Sequence, residues 1–212
     1  MGLYFTRELE DNALLAVWEI TESEAELIEI CSLPNSEKED LQITKSESRR
    51  KERLAVRALL NNLFDGKVYL GHHDNGRPFL QNSIVEISIS HTGRFAAILT
   101  HPELNVGLDL ESLKRDFSIV EKKALSKKEI DDLSEKNRNT HLAIYWSAKE
   151  AIFKRMSLSN ISFADQIEIK KFTLKDKGEI DAVFRFADKQ KESEFELKYE
   201  LFENHVMVWV VG

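Results

Sequence analysis

Trp146-Ser147-Ala148-Lys149-Glu150-Ala151-Ile152-Phe153-Lys154 is the stretch on which the reading of this chain turns. It lies within Thr140 to Met156, where Leu142, Tyr145, Trp146, Ile152, Phe153 and Met156 recur at helical spacing, predicting a helix packed on a core. Lys149 falls in the centre of that apolar stripe. A lysine there must bend its stem to solvent or hold its ammonium against an anion, because a buried charge without a partner is very costly. Glu150 and Lys154, four residues apart on the neighbouring shoulder, fit a helix-stabilising ion pair and fit paired chemistry equally well.

The second informative stretch is Val106-Gly107-Leu108-Asp109-Leu110-Glu111. Its alternation predicts a strand with Val106, Leu108 and Leu110 on one face and Gly107, Asp109 and Glu111 on the other. Two carboxylates at i and i+2 repel unless a cation lies between them, so a hard divalent ion with oxygen ligands is one candidate. Two solvent-exposed acids at a strand end are the other.

Upstream, Leu14 to Ile20 reads as a strand, and Thr21 with Glu24 as the cap of a short helix that Pro34, Asn35 and Ser36 interrupt. A longer helix is predicted from about Ser46 to Phe64, with Val56, Leu59, Leu60, Leu63 and Phe64 as its apolar stripe. Arg50, Arg53 and Arg57 line one edge of it, either as a solvated flank or as a fork of planar donors for phosphate oxygens. Lys67 to Leu70 is strand-like and leads into a turn over Asp74-Asn75-Gly76-Arg77-Pro78. Val85, Ile87 and Ile89 then alternate with polar residues until Ser90-His91-Thr92-Gly93 breaks the pattern, and Phe95 to Leu99 resumes it. A histidine between two hydroxyls offers several donors to an anion, although a lone histidine is more often capped or at the surface.

Downstream, Phe117 to Ser134 reads as mainly helical, and four strands follow the central helix, around 167–169, 182–186, 195–201 and 206–211. Strand, helices, strands thus occur in that order twice, dividing near residues 102–105. The expected fold is α+β, with two similar α/β halves, 1–103 and 104–212, each an antiparallel sheet packed on a long helix. A pseudo-two-fold would relate them and place the active site in a cleft between the halves.

The chain has 212 residues, 42% of them hydrophobic and 32% charged, which suits a globular protein with a substantial core. A net charge of -7 argues against a general nucleic-acid binder. The single cysteine, Cys31, excludes an internal disulfide framework and reads as a small buried apolar residue. No apolar run approaches membrane-spanning length, and a monomeric, cytoplasmic protein without a membrane partner is expected. Met1-Gly2-Leu3-Tyr4-Phe5-Thr6 formally fits a myristoylation pattern but is read as the start of the first strand.

Gly76-Arg77-Pro78, Ile89-Ser90-His91-Thr92, Val106 to Glu111 and Trp146 to Lys154 together resemble the four ordered motifs of the 4′-phosphopantetheinyl transferase superfamily. Length and internal duplication are similar to those of its single-chain, surfactin-synthetase-type branch. The resemblance spans roughly residues 46 to 156, and the last two motifs carry most of it. It implies transfer of the 4′-phosphopantetheine group from coenzyme A to a serine of an apo acyl or peptidyl carrier protein, with release of adenosine 3′,5′-bisphosphate. It further implies a magnesium ion held by Asp109, Glu111 and Glu150.

By the same resemblance, Arg77, Pro78, Ser90, His91, Thr92 and Lys149 are coenzyme A contacts. His91 and one arginine of the first long helix would read the 3′-phosphate, with Arg57 placed before Arg50 and Arg53. Glu150 would take the serine proton, and Lys154 would steady the pyrophosphate or protonate the leaving group; Asp109 completes the catalytic set. Arg77 stands where the family more commonly has lysine, and Thr92 where it more commonly has serine. Both keep the donors. A non-catalytic nucleotide-binding module of the same fold and another magnesium-dependent phosphohydrolase are the alternative functions.

Overall fold

Each half of the chain builds its sheet by the same step: the strand that precedes the helices pairs antiparallel with the last strand of that half. In the computed structural model, which describes residues 2–31, 33, 35–65, 68–187 and 191–212, helix and strand are mixed as an α+β reading expects. The side chains of residues 35 and 36 are also outside the description, as are residue 1, Pro34 and Lys67, on which sequence readings fell. The chain divides into two compact units, Met1–Leu104 and Asn105–Gly212, and the expected boundary lies one residue earlier.

The first unit runs β1 (Leu3–Glu8), β2 (Leu14–Glu19), α1 (Glu24–Ile30), α2 (Asn35–Ile43), α3 (Glu47–Phe64), β3 (Leu70–His72), β4 (Pro78–Leu80), β5 (Glu86–His91) and β6 (Phe95–His101). Its four-stranded sheet has the order β1-β2-β6-β5, with Leu15 opposite Leu99 and Ile89 opposite Ile98. The cap of α1 is Ser23 with Glu26, two residues beyond the expected Thr21 and Glu24, because Ser23 and Glu26 exchange reciprocal hydrogen bonds. Helix α2 was not anticipated. Long helix α3 starts after Ser46, whose Oγ accepts from Arg49 N, and buries Leu54, Val56, Leu59 and Leu60 against β2 and β6. Strand β3 begins only at Leu70; β3 and β4 form a separate two-stranded ribbon across the Asn75-Gly76 turn, where Gly76 has φ +82°. Cys31 is buried with Sγ on Leu54 O at 3.2 Å, and burial pushes its thiol up to about 11.

The second unit runs β7 (Val106–Ser112), α4 (Ser118–Ala124), α5 (Lys127–Asp131), α6 (Arg138–Met156), α7 (Phe163–Gln166), β8 (Ile167–Ile169), β9 (Lys177–Arg185), β10 (Glu192–Phe202) and β11 (His205–Val211). Its sheet has the order β7-β11-β10-β9-β8. Strands β10 and β11 meet at Glu203-Asn204, both at positive φ (47° and 58°), the two-residue turn whose twist suits antiparallel strands. In both units, therefore, the strand before the helices (β2, β7) pairs with the last strand (β6, β11), and that strand with the one before it (β5, β10). Within each unit this order parallels the strand, helices, strands sequence expected twice along the chain.

Helix α6 packs on β7 and β11 but is not the one-sided helix that its apolar stripe suggested. His141, Leu142, Ala143, Ile144, Tyr145, Ser147, Ala148, Lys149, Ala151 and Ile152 are all buried, so it is covered nearly all the way round, whereas Trp146, Phe153 and Met156 are only partly so. Lys149 is fully buried, and its anion is internal. The Lys149 ammonium lies 2.9 Å from Glu129 and donates to the carbonyls of Phe163 (2.9 Å) and Ile167 (2.6 Å), so its three donors are used. Glu129 in turn accepts from Ser126 N, Ser126 Oγ and Ile169 N, tying α5, α6, α7 and β8 into one network. In this arrangement no Lys149 donor is left over for the expected coenzyme A contact.

Removing one partner of such a pair leaves the other charge buried and unsatisfied. Lys149→Met is expected to lower the free energy of unfolding in urea by about 3–5 kcal/mol. A loss below about 1 kcal/mol, the scale of an exposed pair, would contradict the buried network.

Candidate active site

Strand β7 and helix α6 run past each other in opposite senses, and their facing residues pair off in order. Gly107 lies against Ala151 and Arg155, Asp109 against Lys154, and Glu111 against Trp146. Gly107 makes this possible: a Cβ there would collide with the carbonyl oxygen of Ala151. The acid-bearing face of β7 is therefore the helix-covered face, shared with Val206, Val208 and Val210 of β11. Reading the acids as a solvated edge is excluded by the burial of Asp109, 5% exposed.

Lys154 does not pair with Glu150 along the helix. Its Nζ donates instead to Asp109 Oδ1 and to Leu108 O, both at 2.8 Å. Glu111 Oε1 accepts from Trp146 Nε1 at 2.9 Å and from Arg115 NH1 at 2.5 Å. Glu150 lies one helical turn from both Trp146 and Lys154, which places it on the side of α6 that looks toward the two strand acids. Burial, the nearby Asp109 charge and, less strongly, Glu111 push its carboxyl up to about 7, against a smaller opposing effect of Lys154. Among the described residues nothing donates a hydrogen bond to it. Glu111 is also raised, by burial first and Asp109 second.

Three carboxylates are thus held on one face with too little positive charge between them. Among the described residues no three acidic, histidine or cysteine side chains are drawn into a ready metal cage. Lys154 on Asp109 and Arg115 on Glu111 hold two of the acids separately. The donor set still fits a hard divalent ion: all-oxygen ligands, two of them raised by burial and then by the Asp109 charge, a repulsion that a cation would relieve. Arg115 and Trp146 also line an open groove of about 550 Å³ with Lys123, Ser162 and Phe163.

The comparison with known families now has its geometry. A model of the 4′-phosphopantetheinyl transferase superfamily matches residues 105–210, half of the chain and nearly the whole second unit. The chain belongs to the 4′-phosphopantetheinyl transferase superfamily. Membership supports a phosphopantetheinyl transferase type of activity in general, with coenzyme A and a carrier protein as the general partners of the family. No curated protein matches the chain. No helix among the described residues is long and apolar enough to cross a membrane.

The phosphate-binding residues expected in the first unit are placed less uniformly. Arg57 is only 3% exposed; its guanidinium is paired with Glu37 and donates to Val68 O at 2.8 Å, so the preference for Arg57 at the 3′-phosphate is corrected. Arg50 is held in a two-pronged pair by Glu24 and by the carbonyls of Thr44 and Lys45. Arg53 is exposed and donates to Thr44 Oγ1 at 3.0 Å. His91 ends β5 with Nδ1 3.1 Å from Glu52 of α3, one position from Arg53. Thr92 Oγ1 accepts from Phe95 N and closes the turn, Ser90 is buried, and Arg77 is paired with Glu86. Pro78 opens β4 opposite His72. Sequence reading missed Glu129, Trp146 as a donor and Arg115; only Arg115, four residues after Glu111, left a local signal.

The raised Glu150 carboxyl has a consequence for stability. Unfolded, it ionises near its ordinary 4.5; folded, near about 7. Between those values the unfolded chain has lost the proton that the folded chain still binds, so stability falls as pH rises through that window. Glu150→Gln is expected to flatten this slope in urea unfolding at pH 5 and pH 8, with a difference on the order of 2 kcal/mol. Parallel profiles for the two proteins would place the charge strain elsewhere.

Proposed function

We propose that this protein is a phosphopantetheinyl transferase of the single-chain, surfactin-synthetase type, acting on coenzyme A and a serine of an apo carrier protein. What supports the reading is that Asp109 and Glu111 of β7 share a partly buried face with Glu150 and Lys154 of α6. Asp109, Glu111 and Glu150 would hold magnesium, which when bound supplies positive charge to the pyrophosphate. The carrier serine oxygen bonds to the phosphorus that bears pantetheine, and the bridging P–O bond breaks to release adenosine 3′,5′-bisphosphate. Glu150, on the face of α6 shared with the two strand acids, accepts the serine proton. Lys154 needs only to leave Asp109 Oδ1 to place its ammonium on the leaving phosphate. Such a transfer depends chiefly on positioning and charge neutralisation, which these residues supply.

Coenzyme A would be contacted by Arg77, Pro78, Ser90, His91 and Thr92, with His91 and Arg53 at the 3′-phosphate. Arg53 takes the place first given to Arg57, because it is exposed on α3 beside the His91 partner Glu52. Lys149 keeps a structural role beneath the site.

Release of adenosine 3′,5′-bisphosphate should require coenzyme A, magnesium and apo carrier together, and should be abolished by chelation or by Asp109→Ala in a folded protein. Release without a carrier would favour a phosphohydrolase, and binding without release a nucleotide-binding module. Lys154→Ala should reduce turnover steeply; because it also leaves the buried Asp109 carboxylate without its cation, stability should fall as well, and turnover is compared at a temperature where the variant is folded. A charged hydrogen bond contributes about 1.5–3 kcal/mol, so Arg53→Ala should weaken use of coenzyme A by roughly ten- to a hundredfold and of dephospho-coenzyme A far less. Equal losses on both substrates would remove Arg53 from the 3′-phosphate.

A further inference from the structure

Trp146 brings a hydrogen-bond donor to a place where helix packing alone asks only for an apolar ring. Its indole N–H and Arg115 NH1 converge on a single atom, Glu111 Oε1, at 2.9 and 2.5 Å. Among the described residues no hydrogen bond reaches the other oxygen, Oε2. The two donors also brace each other: the Arg115 guanidinium lies 5.9 Å from the Trp146 ring centroid and 4.9 Å from that of Phe117.

The donors differ in kind. Arg115 is 50% exposed and charged, so salt and solvent screen its pairing and it can move away. The indole is partly buried and neutral, can only donate, and has its ring fixed 5.5 Å from that of Phe163. It is also one helical turn before Glu150, so the group that orients Glu111 and the acid that faces Glu111 share one rigid helix. A flexible glutamate on a strand is thereby referenced to the same backbone as Glu150.

We propose that Trp146 is a positioning residue for the cation site: by holding Glu111 Oε1 it fixes the carboxylate plane and presents Oε2 as the ligating oxygen. The inference rests on the magnesium reading given above. Hydrogen bonds from outside the ligand shell orient ligating carboxylates in this way, and their loss typically costs about 10–100-fold in metal affinity or activity.

The test uses Mn²⁺ as a paramagnetic substitute and does not depend on turnover. In the indole-labelled full-length protein, Mn²⁺ should broaden the Trp146 N–H resonance, assigned by its disappearance in Trp146→Phe, at substoichiometric metal. By calorimetry, Trp146→Phe should bind Mn²⁺ about tenfold more weakly than the wild type. Its KM for magnesium should rise correspondingly, while kcat at saturating magnesium stays within about twofold. Wild-type Mn²⁺ affinity in Trp146→Phe would overturn the positioning role and leave the metal reading intact. Failure of the wild type to bind Mn²⁺ would overturn the metal reading and this inference with it. If Trp146→Phe does not fold, the wild-type spectrum decides: an indole resonance untouched by bound Mn²⁺ overturns the proposal.

Discussion

The second unit depends on one buried ion pair. Lys149 and Glu129, 0% and 1% exposed at their side chains, are satisfied by each other, by the Ser126 hydroxyl and by the backbone of the elements around them. Taking two charges out of water costs several kcal/mol each, so the pair persists because every donor and lone pair that it removes from solvent finds a partner. A network of that kind has one arrangement. It holds the start of β8, the capping box of α5 and the middle of α6 in fixed register, and the next residue along α6 is Glu150.

Glu150 and Lys154 therefore project from a helix that cannot easily rotate, against a strand that Gly107 allows to come close. The opposed registers of β7 and α6 then decide which side chains meet. Lys154 meets Asp109 and Trp146 meets Glu111, leaving Glu150 between two like charges. The strain is local and electrostatic. Together with burial, the larger cause, it raises two carboxyl groups, and a cation can exchange the repulsion for attraction, which is why functional sites so often carry it.

Much of this was legible in the residues. The helix over 140–156 and the strand over 106–111 follow from periodicity, and the oddity of Lys149 in an apolar stripe correctly demanded an anion. The identity of that anion was not legible, because Glu129 lies 20 positions away and reads locally as the third residue of an ordinary capping box. For the same reason Glu150 and Lys154 were paired by helical spacing, whereas tertiary structure offered Lys154 the better partner, a strand acid 45 positions distant. Arg57 was placed first at the phosphate because a sequence shows which edge of a helix is basic, not that α2 will supply Glu37 to bury one of those charges. In the first unit a strand was expected to start at Lys67, and the observed one starts at Leu70; short edge ribbons such as β3 and β4 offer too few alternating positions to fix a boundary.

The central claim is a division of labour between neighbours on α6, with Lys149 building the site and Glu150 and Lys154 working in it. The KM of Lys149→Met for coenzyme A, measured at a temperature where the variant is still folded, tests it most directly. The account predicts a KM within about twofold of the wild type, since the Lys149 donors are spent on Glu129 and two backbone carbonyls and Lys149→Met therefore removes no contact to the ligand. A KM raised by about tenfold or more in a variant of undiminished stability would contradict it, and would place the Lys149 ammonium on the ligand instead of on Glu129.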